Sequence, residues 1–350
     1  MKNKPIFKFG VLALSIVLIA CSGGSTDAGC PEIDGREINV VATTPMIGEF
    51  VGQVGGENIN LTILMPPEAD PHTYEPAPQD AGKIADADLV FYTGLMYEPA
   101  ALIELLENSV CGAEALAEVG ESVFPIEFKE GGHDDHDDHD DHDDEKDHDD
   151  EEDHDDEEDH DDEEGHDDHE GHNHGAYDPH FWFDPSRVAY AAEYIESRLI
   201  QFDPENESSY ISSADSFVSE LNDLTKQVSE LISTVPSQNR KLITTHESLG
   251  YLEAKFGLEV LSTIIPSLNS ANEISPSDLA GVIDVIEDNN VKVIFIESEA
   301  PSVYSETIVA ETGIKPVTGL YVETLKPGQS YSEFLISNVK LITENLQDTD

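Results

Sequence analysis

Three histidines stand at positions where an α/β protein binds its ligands. His72 follows the apolar run 60–65, and His246 directly ends the run 241–245. His180 lies in the proline-flanked aromatic loop YDPHFWFDP. Ligands of an open α/β sheet bind just beyond the carboxyl ends of its strands, and neutral imidazoles suit Zn(II) in a tetrahedral site. The joint placement therefore predicts a zinc site made of these three side chains.

The fourth position of such a site needs a carboxylate or a water. Glu323 follows the predicted strand 315–322, and Glu297 ends the apolar run VKVIFIE. Glu247 adjoins His246, but it would point away from that residue if the strand continues, because successive side chains alternate. The residues alone leave Glu323, Glu297 and water as the alternatives.

Residues 131–175 form an acidic tract that is rich in histidine. The tract holds 27 Asp or Glu residues, one Lys and 11 of the 14 histidines. It has no apolar residue that could offset the entropy of ordering, so we expect disorder. Flexible imidazoles and carboxylates should collect zinc weakly near the three-histidine site, and a solvated charged spacer is the alternative. The tract histidines are His133, His136, His139, His142, His148, His154, His160, His166, His169, His172 and His174.

The composition excludes several classes of function. The formal net charge of the 350 residues is −58, with 75 acidic residues against 17 Lys and Arg. Nucleic-acid binding is excluded because phosphate contacts need a basic patch. The sequence also lacks a Walker-type glycine loop and a G-x-S-x-G motif, which are the signatures of P-loop NTPases and of α/β-hydrolases.

The N-terminus has the pattern of an export signal. A basic start precedes the apolar run 11–20, which is too short to span a membrane comfortably. Cys21 follows the run and is itself followed by Ser and Gly, and this pattern resembles a bacterial lipobox. The resemblance implies a signal peptide over 1–20, a lipid anchor on Cys21 outside the cytoplasmic membrane, and a tether over 21–35. A plain secretion signal is the alternative.

Two cysteines remain after that processing, Cys30 and Cys111. In an oxidising compartment an even pair favours a disulfide, which would join the start of the first lobe to a later segment. Two unpaired thiols are the alternative.

Alternating strand and helix patterns predict an α/β fold with parallel sheets in two lobes. The lobes are expected over 36–203 and 237–350, and the segment 204–236 between them is expected to be one long helix. Its apolar residues recur in steps of four and three, which marks one helical face. We favour a rigid helix packed along both lobes over a coiled-coil dimer seam. The predicted strands are 38–44, 60–65, 87–93, 241–245, 258–264, 291–297 and 315–322.

Four segments together resemble the zinc and manganese solute-binding lipoproteins of ABC importers, the ZnuA-type family. They are DPHTYEP, DPHFWFDP, THESLGYLEAKFGL and GLYVETL. The resemblance implies metal in the cleft between the lobes, with ligands at His72, His180 and His246 and an acidic residue or water in fourth place. Glu323 stands where the family commonly has Asp. Manganese-type members usually carry a carboxylate at the position of His246, so the imidazole favours zinc.

The function that the resemblance implies is binding and delivery without chemistry on the metal. The protein would take up Zn(II) outside the cytoplasmic membrane, dock as a monomer on a permease, and release the ion in a cycle driven by an ATPase. The alternatives are a manganese-binding member, a metal-dependent adhesin, and a secreted zinc hydrolase, for which the H-E-x-x-H helix is lacking.

Overall fold

The computed structural model of the chain describes residues 33, 35–128, 177–299 and 303–347. The predicted signal peptide, most of the predicted tether and the tract 131–175 lie outside the described residues. Within the described ranges, no helix is both long enough and apolar enough to cross a membrane.

The N-terminal half is built on short β-branched runs that alternate with helices, which is the pattern of βαβ units. Its elements are β1 Ile38–Ala42, α1 Pro45–Gly55, β2 Ile59–Ile63, α2 Pro78–Ala85, β3 Leu89–Tyr92, α3 Ala100–Ser109 and β4 Leu116–Glu118. The four strands are parallel, in the spatial order β2-β1-β3-β4. The loop after β1 turns into α1 because Thr44 caps that helix, its side chain accepting a hydrogen bond from the backbone N of Ile47.

Two long helices follow, α4 Pro185–Phe202 and α5 Glu207–Ser233. The 27 residues of α5 span about 40 Å at about 1.5 Å per residue. Its buried face packs on α1, on α4 and on the C-terminal helix, Tyr331–Gln347. The apolar face of α5 is therefore covered within the chain, which opposes the coiled-coil alternative. The residues buried on that face are Tyr210, Ala214, Phe217, Leu221, Leu224, Val228 and Ile232.

The C-terminal half contains two parallel strand pairs. Its elements are β5 Lys241–His246, α6 Gly250–Phe256, β6 Glu259–Ile265, α7 Pro276–Asp288, β7 Val293–Glu297, α8 Val303–Thr312, β8 Lys315–Leu320 and α9 Tyr331–Gln347. Strand β5 pairs with β6, and β7 pairs with β8. Strands β5 and β7 lie side by side, and a hydrogen bond joins them near their carboxyl ends. The backbone N of Glu297 donates to the side-chain Oγ1 of Thr245 at 3.0 Å.

One large apolar core is shared by the two halves. It contains Phe50 and Trp182 from the N-terminal part, Leu224 from α5, and Tyr331 and Phe334 from α9. Each half also has a smaller core of its own behind its sheet. The predicted α/β fold with two parallel-stranded lobes is confirmed. The shared core fixes the strand ends of one half against those of the other.

Candidate metal centre

His72 lies on a one-turn 3-10 helix, Pro71–Thr73, in the connection between β2 and α2. Asp70 caps this turn, its Oδ1 accepting the backbone N–H of His72 at 2.9 Å. Pro71 suits the first helical position because its φ is already fixed near the helical value. The turn therefore directs His72 inward, where the residue is 8% exposed.

His180 precedes a second 3-10 turn, Phe181–Phe183, in the aromatic loop. Asp178 Oδ1 accepts the backbone N–H of His180 and also contacts its ring Nδ1, both at 2.8 Å. The carboxylate behind the ring leaves Nε2 free to face the cleft. The ring is fully buried and stands at 5.5 Å between centroids from Trp182.

His246 is the last residue of β5, and its environment repeats this arrangement. Its Nδ1 lies 2.5 Å from Glu297 Oε2, and its backbone N donates to Glu297 Oε1 at 3.1 Å. Both residues are buried. Glu297, at the end of the neighbouring strand β7, therefore holds the imidazole from behind.

Glu323 completes the group three residues after β8. Its Oε1 lies 2.7 Å from His246 Nε2, 3.3 Å from His180 Nε2 and 3.4 Å from His72 Nε2. In a tetrahedral site with bonds of about 2.0–2.1 Å, ligand atoms are about 3.3 Å apart. Two of these distances match that spacing and the 2.7 Å distance is shorter. The four ligand atoms all lie within 4.8 Å of one another, so the group could hold a metal ion such as Zn(II).

Tyr97 supports the carboxylate from the other side. Its hydroxyl donates to Glu323 Oε2 at 2.8 Å, and its ring packs edge-on against His72 and Trp182. Burial, together with the charge of Glu323, raises the pKa of Tyr97 well above its usual value. The hydroxyl therefore stays protonated and fixes the orientation of Glu323.

The buried charges of the site stabilise one another. Burial alone would raise the pKa of Glu323, but the imidazoles of His180, His72 and His246 hold it well below the ordinary value. Burial would lower the pKa of His180, but Glu323 and Asp178 outweigh it and raise the pKa to about 9. The pKa of His246 is raised well above its usual value, because Glu297 and Glu323 outweigh its burial. Protons on His180 and His246 therefore compete with a cation at neutral pH.

The two other predicted acidic candidates have different partners. The carboxylate of Glu297 contacts Nδ1 and the backbone N of His246. Glu247 accepts a hydrogen bond from Thr263 Oγ1 at 3.1 Å, so its carboxylate is turned away from the three imidazoles. Among the described acidic residues, only Glu323 is grouped with all three histidines.

Several predicted residues lie outside the described ranges. These are the histidines of the tract, the lipidation site Cys21, and Cys30. Cys111 is described and is disulfide-bonded, and its partner is not among the described residues.

Sequence reasoning missed the residues that orient the ligands. Asp70 and Asp178 stand two residues before a histidine in the repeated motif D-P-H, and that repetition was an available signal. Tyr97 had no such signal, since it reaches the site from a loop after β3. Apart from these orienting residues, sequence reasoning also missed Glu299, a carboxylate close to Glu323. Burial and the nearby charge of Glu323 raise the pKa of Glu299 to about 8.

The chain is similar in sequence to known metal-uptake proteins. The family model described as zinc-uptake complex component A, periplasmic, matches residues 40–345. The high-affinity zinc uptake system protein ZnuA of Bacillus subtilis is 28% identical over 346 residues, which cover 96% of each chain. The manganese-binding lipoprotein MntA of Halalkalibacterium halodurans is 22% identical over 340 residues, 97% of this chain and 96% of that protein.

The fold is also found among solved structures. The periplasmic zinc-binding protein TroA of Treponema pallidum superposes with a TM-score of 0.71 at 20% identity, covering 89% of this chain and 99% of that one. The similarity to TroA shows a common fold. The match of the family model over most of the chain shows the family to which the chain belongs. The chain belongs to the zinc-uptake complex component A family, the substrate-binding proteins of metal ABC transporters.

Proposed function

We propose that this protein binds Zn(II) outside the cytoplasmic membrane and delivers it to an ABC import permease. The observation that carries the proposal is the convergence of three buried Nε2 atoms on Glu323 Oε1, at 2.7 to 3.4 Å. Three imidazoles and one carboxylate make a closed four-ligand site, which suits binding rather than catalysis on an open metal position. His72, His180, His246 and Glu323 are the proposed ligands.

The choice of zinc over manganese rests on the donor atoms. Imidazole nitrogens suit zinc, whereas carboxylate and water oxygens suit manganese. The family includes relatives named for either metal, so manganese is the alternative. His246 supports zinc because it supplies a third nitrogen, and its position at the end of β5, held by Glu297, fixes that nitrogen toward the other ligands.

Delivery requires partners and a location. We propose that a lipid on Cys21 tethers the mature chain to the membrane, that the tract 131–175 collects zinc at weak sites, and that the loaded monomer docks on a permease driven by an ATPase. The relatives named as lipoproteins of metal ABC transporters support the location and the partners. No reaction on the metal is part of this proposal.

An equilibrium competition titration tests the proposal. The mature chain and the same chain without residues 131–175 are titrated with zinc and with manganese against a chelator of known affinity. Both chains are expected to keep one tight zinc site, and only the shorter chain loses the weak ones. A His246→Asp variant should lose zinc affinity and gain manganese affinity relative to the parent, whereas His136→Ala in the tract should leave the tight site unchanged. Absence of a tight zinc site in the shorter chain would contradict the assigned ligands.

A further inference from the structure

His72 is the least supported of the three histidines. Carboxylates hold the Nδ1 atoms of His180 and His246 from behind. The Nδ1 of His72 is buried and has no hydrogen-bond partner among the described protein groups. Carboxylate partners fix the ring orientation of a metal-binding histidine and raise its basicity. His72, which is also the most exposed of the three at 8%, is therefore the imidazole that can leave the site most easily.

The position of His72 is set through its backbone. Asp70 Oδ1 accepts the backbone N–H of His72 at 2.9 Å. The other oxygen of the same carboxylate, Oδ2, accepts a hydrogen bond from Ser270 Oγ at 2.9 Å. Ser270 is only 2% exposed and lies 200 residues further along the chain, in the C-terminal half. One carboxylate thus joins the His72 turn to the opposite side of the cleft.

The loop that carries Ser270 is anchored beside another ligand. This loop, residues 266–275, connects β6 to α7. The backbone N of Glu247, the residue after His246, donates to the Ser267 carbonyl at 3.0 Å. Within the loop, Ser267 Oγ accepts two hydrogen bonds. The backbone N of Asn269 donates one at 3.1 Å, and the side-chain amide of Asn272 donates the other at 2.6 Å. The loop is therefore an internally bonded bridge from the His246 side of the cleft to the His72 side.

Two other hydrogen bonds between the halves differ from this one. Trp182 Nε1 donates to the Val322 carbonyl at 2.8 Å, and the Tyr331 hydroxyl donates to the Trp182 carbonyl at 2.7 Å. These groups are fully buried in the shared aromatic core. The Asp70–Ser270 hydrogen bond instead joins two loops that also carry exposed residues, so it can break without opening the core.

From these contacts we infer that the Asp70–Ser270 hydrogen bond is a latch that holds His72 on the bound metal and sets the rate at which the metal leaves. The inference rests on the proposed zinc-binding function. When the latch is made, Asp70 fixes the His72 backbone against both sides of the cleft. When it breaks, the turn carrying His72 can swing outward, while His180, His246 and Glu323 remain held by Asp178, Glu297 and Tyr97. Asp70 and Ser270 are positioning residues and do not touch the ion.

Zinc release kinetics test the latch. The full mature chain is loaded with half an equivalent of zinc, so that the ion occupies the tightest site, and is mixed rapidly with an excess of a chromophoric chelator. Ser270→Ala is expected to release zinc about tenfold faster, which corresponds to about 1.4 kcal/mol for a hydrogen bond to a carboxylate. The rate of zinc association should change by less than about twofold. Ser277→Ala is the matched control, because it removes the same hydroxyl from an exposed serine just beyond the loop, where its partner at 2.7 Å is the neighbouring Ser275; its release rate should equal that of the parent.

A double-mutant cycle separates the latch from general damage to the loop. Asp70→Ala removes the acceptor, so adding Ser270→Ala to it should not accelerate release further, whereas independent effects would add. Additive acceleration, or release from Ser270→Ala at the parent rate, overturns the latch. If the parent chain itself fails to hold the half equivalent of zinc, the proposed function fails instead. The two failures are therefore distinguishable.

Discussion

Replacing Glu297 by glutamine would remove the charge behind His246 while keeping the size of the side chain. Glu297 contacts the His246 ring at 2.5 Å and its backbone N at 3.1 Å, and both residues are buried, so water screens the pair little. Loss of an outer-shell partner of a metal ligand typically weakens metal binding by about 10- to 100-fold. We expect the same range here, about 1.4–2.7 kcal/mol, because the neutral amide makes His246 a less basic ligand.

The assay is competition for zinc between the mature chain and a chelator of known affinity. Glu247→Gln is the control, because it changes the same residue type one position from His246, where the carboxylate contacts Thr263 instead. That variant should bind zinc within about twofold of the parent. Equal zinc affinity of Glu297→Gln and Glu247→Gln would refute the role given to the carboxylate behind His246.

Three further results are expected. Tyr97→Phe removes the hydrogen bond to Glu323 Oε2. It should weaken zinc binding roughly tenfold, which is the size expected for the loss of a hydrogen bond to a charged group. Thermal unfolding checks that the variant keeps its fold. Zinc affinity should fall as the pH is lowered from about 9 toward 6, because His180, with its pKa raised to about 9, must lose a proton to bind metal; a pH-independent titration would contradict this. Trp182 is the one tryptophan of the sequence and its ring lies 5.5 Å from that of His180, so zinc binding should change its fluorescence, and the change should be lost in His180→Ala.

Much of the fold could be predicted because its strands and long helix have strong periodic signals. The steps of four and three run from Tyr210 to Leu231 and predict the buried face of α5, except at its end, where Ile232 rather than Leu231 is fully buried. Strand β4 was missed because its three residues are too few for a pattern. Helix α9 was missed although its apolar residues recur at helical spacing, so that signal was present in the sequence.

The candidate ligands could be predicted because strand ends are where such sheets bind ligands. The residues alone left Glu323 and Glu297 open, since both stand at or just after the end of a strand, and the family resemblance favours Glu323. The structure groups Glu323 with the three histidines and places Glu297 behind His246. Tyr97 could not be predicted as a site residue for a different reason. It follows Gly94, Leu95 and Met96, which have φ values of 77°, 53° and 63°. Leu and Met rarely adopt such a backbone, and nothing in their side chains predicts that path.

The contact between Asp70 and Ser270 was beyond sequence reasoning for a related reason. Their hydrogen bond joins two loops from opposite halves of the chain. Loop residues have no periodicity that reveals where their side chains point, and a contact between distant loops depends on how the whole fold closes. A histidine at the end of a strand can be recognised from its neighbours in the sequence. The residues that hold that histidine in place can lie far away along the chain.

Anomalous diffraction tests the central claim most directly. Crystals of the mature chain, grown with equal amounts of zinc and manganese, are measured at the absorption edges of both metals. We predict one strong zinc peak in the cleft, within bonding distance of Nε2 of His72, His180 and His246 and of a carboxylate oxygen of Glu323, with no manganese signal there. A manganese peak at that position, or a tightly bound zinc that lies away from these four side chains, would contradict the proposed zinc site.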